Sequence, residues 1–251
     1  MSSVLQAIVF DFDGVIADSE PLHLKAFQRA LAEDGMTLGD DEYFRKYLGY
    51  DDVGVFEAIA RDRALAWTAG HVTELVVRKG MKLQALISGG EVLFPGAPAF
   101  IRAAAAEVPV AIASGALRHE IVQILESAAL DELFAAIIAA GDTPASKPSP
   151  APYLLAFERL QEYAATKLEP HRCVAIEDSL WGLESARQAG LRCVGVTTSY
   201  TAVELPGAEL IVDGLHALTL PMLDALVQRA PSADVRHGPS SDVRRGPSRS
   251  A

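Results

Sequence analysis

Read for hydrophobic and polar positions alone, the chain changes character twice. Residues 7–10 form an apolar run, within a predicted strand over 5–10, that stops at two carboxylates, Asp11 and Asp13, one residue apart. A buried parallel strand reads as such a continuous run. Residues 20–34 then repeat apolar positions at helix spacing, with Leu22, Ala26, Phe27, Ala30 and Leu31 on one face and Pro21 in the first turn. Two more helices are predicted over 51–65 and 68–87, the second with Val72, Leu75, Val76, Leu83 and Leu86 on one face. No strand-like run interrupts them. Phe56, Trp67 and Met81 fall on helical apolar faces and read as packing rather than as substrate contacts. After Phe94-Pro95-Gly96 the pattern alternates: helix 97–106, strand 108–113, helix 119–129, strand 135–140, helix 152–163 and strand 173–176. A helix capped by Ser179 and closed by Gly190 follows, then strand 193–196 and a short strand 210–212.

Alternation of this kind specifies an α/β fold, a doubly wound parallel sheet with right-handed crossovers and helices on both faces. The strand-free stretch reads as an inserted α-helical cap. The expected organisation is a core domain of residues 1–17 and 94–230, a helical cap domain of 18–93 and a tail of 231–251. In the tail, Asp234-Val235-Arg236-His237-Gly238-Pro239-Ser240 nearly repeats, eight residues later, as Asp242-Val243-Arg244-Arg245-Gly246-Pro247-Ser248. Polar, Pro/Gly/Ser-rich repeats bury no core, so the tail is expected to be disordered.

At 251 residues the chain is long enough for a substantial core. Its formal charge of −11 argues against non-specific binding to nucleic acid or to anionic membranes. No run approaches the roughly 18–20 apolar residues that cross a bilayer. The N-terminus lacks a basic region followed by a long apolar one, so the expected location is the cytoplasm. Cys173 and Cys193 lie in strand-like runs and are expected to be buried free thiols. Nothing in the composition fixes an oligomeric state. The negative charge does impose one condition: an anionic substrate needs a bound cation and a few basic residues to reverse the local field.

Carboxyl ends of strands in a doubly wound sheet converge on one crevice. The first strand delivers Asp11 and Asp13, the second Ser114 and Gly115, the loop after the third Lys147, and the fourth Glu177 and Asp178. Singly these are a strand-end turn, a helix entry, a solvated lysine and acids favoured at a helix N-terminus. Jointly they say more. Four carboxylates in one place repel unless a divalent cation joins them, and an all-oxygen site suits Mg²⁺. A hydroxyl, an ammonium and backbone N–H groups remain to hold a phosphate. Phosphoryl transfer needs an in-line nucleophile, charge neutralisation and an acid for the leaving group. Asp11 is the candidate nucleophile, forming an aspartyl-phosphate, and Asp13 the general acid that later activates water. Ser114, Gly115 and Lys147 are the phosphate-binding set, with Glu177 and Asp178 completing the metal shell.

The motifs Asp11-Phe12-Asp13-Gly14-Val15, Ser114, Lys147-Pro148 and Glu177-Asp178-Ser179 stand in the order seen in the haloacid dehalogenase superfamily, and residues 5–226 resemble its helical-cap branch. That branch includes β-phosphoglucomutase and phosphoglycolate phosphatase-like members. The resemblance implies that Asp11 is the nucleophile, that the backbone carbonyl of Asp13 is a Mg²⁺ ligand, and that Asp178 is the safer direct ligand of the two fourth-motif acids. An Asp at position 13 points to phosphate esters, since the dehalogenating and phosphonate-cleaving members lack it. His23 matches a cap-entry residue that helps close the cap in the mutase, and equally suits a satisfied helix position. Around Gly49 the chain departs from the mutase: the distal-phosphate Arg that follows the glycine there gives way to Asp51 and Asp52. Arg118 and His119 either compensate near the core site or are solvated first-turn residues. The expected activity is therefore a phosphatase for a small phosphorylated metabolite. A phosphomutase is second, and a phosphate-accepting regulatory module is the non-enzymatic alternative. Hinges near 16–19 and 94–96 would let the cap act as a lid.

Overall fold

The architecture, a computed structural model describing residues 4–48, 50–89 and 92–229, places β1 (Ala7–Phe10) inside a six-stranded sheet. The other strands are β2 (Val110–Ala113), β3 (Phe134–Ile138), β4 (Cys173–Glu177), β5 (Arg192–Val196) and β6 (Leu210–Val212). Their order is β3-β2-β1-β4-β5-β6, and every neighbouring pair is parallel. Strand order reverses between β1 and β4, which puts the ligand crevice at their carboxyl ends. Phe10 pairs with Ile176, and the Asp11 N–H donates to the Ile176 carbonyl at 2.9 Å. Asp11 and Glu177 are thereby set side by side.

Helices cover both faces of the sheet, which is why β1 reads as an unbroken apolar run. Ile8 and Phe10 pack with Phe100 and Ile101 of α5 (Ala97–Glu107) and with Ile121 and Ile124 of α6 (Arg118–Ser127). Ala7 and Val9 face the opposite cluster, with Tyr153 and Leu160 of α7 (Ala151–Tyr163) and Leu183 of α8 (Leu180–Gln188). The last helix, α9 (Leu220–Gln228), adds Leu223 and Leu226 to the first cluster. Cys173 and Cys193 are free and buried, and burial pushes both thiols up to about 12, far from the thiolate that reactivity requires.

Between β1 and α5 lie α1 (Glu20–Ala32), α2 (Asp40–Lys46), α3 (Asp52–Asp62) and α4 (Ala69–Gly89), packed on a cluster of their own that includes Phe27, Tyr43, Tyr47, Phe56 and Leu75. Apolar spacing predicts three helices here, and α2 is the addition. Only Tyr43 of its seven residues is buried, so it has no apolar period. Its signature is electrostatic instead: Asp40, Asp41 and Glu42 in the first turn and Arg45 and Lys46 in the last, each complementing the helix dipole. Phe56 is fully buried and Trp67 packs against the same cluster, but Met81 is 59% exposed. It stands two positions from both Lys79 and Leu83, which are buried, and residues so spaced do not share a helix face.

Leu83 and Ile87 of α4 continue into the cluster of the sheet. The two crossings between sheet and helices are bonded to each other: Asp18 N–H donates to the Val92 carbonyl at 2.8 Å, and Phe94 N–H to the Ile16 carbonyl at 2.9 Å. Gly49 and the tail of 231–251 lie outside the described residues. No helix among the described residues is long and apolar enough to cross a membrane.

Candidate active site

Asp11 leaves β1 buried, and its Oδ1 is 2.7 Å from Lys147 Nζ. The same ammonium lies 2.6 Å from Oε1 of Glu177, which has no exposed surface. Tyr153 donates its hydroxyl to that oxygen at 2.7 Å, and the Ser179 hydroxyl donates to Oε2 at 3.0 Å. Both oxygens of Glu177 are therefore committed to protein donors, and its evident work is to hold Lys147. Asp178 Oδ2 accepts from the Ser199 hydroxyl.

Carboxylate oxygens of Asp11, Glu177 and Asp178 lie within 4.8 Å of one another. Burial raises Asp11 well above the usual carboxylate range; Glu177 and Asp178 push the same way and Lys147 opposes them. Asp178 is pushed up to about 6, again mainly by burial. For Lys147 burial works downward, but Asp11 and Glu177 outweigh it and hold the ammonium above its ordinary value. One cation among three crowded carboxylates leaves negative charge over. An all-oxygen, buried, acidic donor set of this kind fits a hard divalent cation.

Asp13 is not in that group, so three side-chain carboxylates converge where the sequence suggests four. The strand ends at Phe10 and the chain already bends at Phe12, so strand alternation does not return Asp13 to the Asp11 side; Gly14, with a φ of +78°, then completes the turn away from the sheet. A Cβ on Gly14 would lie 1.9 Å from Asp178 Oδ2, so the turn also needs glycine for clearance. The Asp13 carboxylate instead accepts from the Ser19 hydroxyl and is raised by burial.

Asp13 faces a cavity of about 650 Å³ between the strand ends and the inserted helices, bounded by Gly115 and Leu117 on one side and by His23, Phe27 and Asp52 on the other. Ser114 is buried at the end of β2, where its Oγ accepts the Ala116 N–H at 3.0 Å, leaving the hydroxyl proton to donate. His23 Nδ1 is 2.9 Å from Lys79 Nζ, and burial together with that ammonium lowers the imidazole to about 4, so the ring is neutral and Nδ1 accepts. Arg118 turns elsewhere, donating to the Ile137 carbonyl at 2.7 Å and to Asp142 Oδ2 at 2.6 Å.

Sequence reasoning misses Ser19, Lys79, Tyr153 and Ser199. For Ser199 the signal exists: Thr197-Thr198-Ser199 follows the apolar run of β5, as Asp11 follows β1. Lys79 also had one, since it falls on the apolar face formed by Val72, Leu75, Val76 and Leu83. Tyr153 had none; a buried phenol on a packed helix reads as core.

The Glu177 anchor makes one stability prediction. A Cβ on Gly182 of α8 would sit 1.9 Å from the Glu177 carboxyl carbon. Gly182→Ala gains up to about 1 kcal/mol of helix propensity. It must also displace a buried carboxylate held by Lys147, Tyr153 and Ser179, and overpacking of that kind costs about 3 kcal/mol. Urea denaturation should show net destabilisation; a variant as stable as wild type would mean that Glu177 is loosely held.

A family model described as haloacid dehalogenase-like hydrolase matches residues 5–190. Protein CbbY of Cereibacter sphaeroides is 34% identical over 228 residues, covering 86% of this chain and 94% of that protein. A phosphoglycolate phosphatase of Yersinia pestis is 27% identical over 233 residues, covering 87% and 95%. Among solved structures, a CbbY variant from Rhodobacter sphaeroides in complex with xylulose-(1,5)bisphosphate superposes with a TM-score of 0.67 at 30% identity, over 85% of this chain and 96% of that one.

Proposed function

The chain belongs to the haloacid dehalogenase-like hydrolases, as a phosphoric monoester hydrolase, and from that premise we propose a Mg²⁺-dependent phosphatase that works in the cytoplasm on a small metabolite of the sugar-phosphate or phosphoglycolate type. The observation that carries this reading is the carboxylate of Asp11, held 2.7 Å from a buried ammonium at the strand switch point, beside a cavity large enough for a small metabolite.

In this reading Ser114, the Gly115 backbone and Lys147 hold the phosphoryl oxygens. The Asp11 carboxylate attacks phosphorus, the ester P–O bond breaks, and Asp13 gives its proton to the departing alkoxide. A carboxyl raised by burial is suited to carry that proton. Asp13 then takes a proton from water, whose oxygen attacks the aspartyl-phosphate and releases inorganic phosphate and Asp11. Mg²⁺, held by Asp11, Asp178 and the Asp13 carbonyl with Glu177 behind them, would offset the charge of the phosphate and the acids. The four helices act as a cap over the site, turning on the paired crossings, with His23 on its inner side. Arg118, engaged by the Ile137 carbonyl and Asp142, takes no part in holding the substrate in this reading.

Phosphate release from a panel of phosphorylated metabolites, with Mg²⁺ and with excess EDTA, tests the proposal. Release that EDTA abolishes and Mg²⁺ restores is expected. Conversion of β-glucose 1-phosphate to glucose 6-phosphate without free phosphate would replace it with the phosphomutase reading.

A further inference from the structure

The cavity that would receive the non-phosphate part of the substrate is walled by acids. Its described lining includes Asp13, Glu20, Asp51, Asp52 and Glu120, and no lysine or arginine. One ammonium stands behind this wall. Lys79 of α4 is 1% exposed, 2.7 Å from Asp52 Oδ1 and 2.9 Å from His23 Nδ1, with the Phe27 ring centroid 4.9 Å away. Asp52, His23 and Phe27 all face the cavity; Lys79 reaches it only through them. The neighbouring cations are engaged as well, Lys147 by Asp11 and Glu177 and Arg118 by Asp142.

We propose that Asp52 is a specificity-determining residue. By neutralising Lys79 it makes the cavity accept phosphate monoesters whose remainder is an uncharged polyol or an amine, and reject a second phosphate. This rests on the phosphatase reading and narrows it. The distal group of a bisphosphate would meet carboxylates and no available cation, an arrangement that costs affinity. Hydroxyl or ammonium groups in the same place find acceptors in Glu120, Asp51 and Asp52. Burial raises the carboxyl groups of Glu20 and Glu120, and neither form of a carboxyl supplies the positive charge that a phosphate seeks. The same wall opposes a mutase, whose intermediate carries two phosphates.

The test compares kcat/KM for fructose 6-phosphate, glucosamine 6-phosphate and fructose 1,6-bisphosphate on the full chain with Mg²⁺. Wild type should favour both monoesters over the bisphosphate by about tenfold or more. Asp52→Asn releases the Lys79 ammonium and should shift the ratio toward the bisphosphate by about tenfold, mainly through KM. The double variant Asp52→Asn/Lys79→Gln puts an uncharged pair where a neutralised pair stood. Its ratio should return to that of wild type, which keeps the test decisive if the single variant folds poorly. A wild type that prefers the bisphosphate, a folded Asp52→Asn with an unmoved ratio, or a double variant that has lost the discrimination overturns the inference. Absence of phosphate release from any ester, p-nitrophenyl phosphate included, overturns the phosphatase reading beneath it instead.

Discussion

Asp11→Asn is expected to lower kcat/KM by at least about 10³-fold, the scale on which loss of a covalent nucleophile is felt. Its melting temperature should match or exceed that of wild type. The reason lies in the crowding at the end of β1. Burial, Glu177 and Asp178 all work against the charged form of Asp11, so in the absence of bound cation its ionisation at neutral pH costs folding energy. A neutral side chain of the same shape removes that cost, and Lys147 keeps Glu177 as partner at 2.6 Å. Loss of turnover with preserved stability separates a chemical role from a structural one. A variant that keeps appreciable activity would remove Asp11 from the mechanism, and one that unfolds would make it part of the scaffold.

Lys147→Met should damage both properties. The ammonium is mostly buried and stands between Asp11 and Glu177, so its removal leaves two buried carboxylates without their counter-charge. Breaking a buried pair in this way costs about 3–5 kcal/mol. The deficit should depend on pH with a definite sign. Without Lys147, the burial and the neighbouring acids that raise the Asp11 carboxyl above its unfolded value are no longer opposed. Stability is then retained below the ordinary carboxylate range and lost as pH rises through the raised value. Urea midpoints of variant and wild type should therefore lie closer together at about pH 5 than at about pH 8. A gap that is constant across that range would show that Met, not charge, causes the damage. Turnover should fall with the loss of a phosphate-binding cation, whatever the pH.

The parts of this site that lie at strand ends were legible because a parallel sheet writes its strands as short apolar runs, and the residue after each run is placed by the fold. Asp11, Ser114, Glu177 and Asp178 came from that rule alone. Asp13 shows its limit: three residues past the end of the strand, it lies beyond the bend at Phe12, where strand alternation no longer applies. Tyr153 escaped because it meets Glu177 through a packing contact between elements distant in sequence, which no local pattern records, whereas Ser199 follows the β5 run as Asp11 follows β1 and was there to be read. α2 escaped for the opposite reason, as a helix held by terminal charges with a single buried residue. Lys79 was visible as a charge on an apolar face, but only its partners, Asp52 and His23, give that position meaning.

The paired crossings at Ile16–Phe94 and Asp18–Val92 have a consequence for exchangeability. Because the chain returns to within one hydrogen bond of where it left, the sheet already holds the ends of the inserted segment together. Closing a loop costs free energy that grows only with the logarithm of its length, about 0.6 kcal/mol per doubling. The core is thus nearly indifferent to how long the intervening segment is, apart from the footing that Leu83 and Ile87 supply. A helical unit of different size, or one grafted from a relative with a differently charged inner wall, can be joined at the same two points. The carboxylates at the ends of β1 and β4 would stay where they are while the wall that faces them changes.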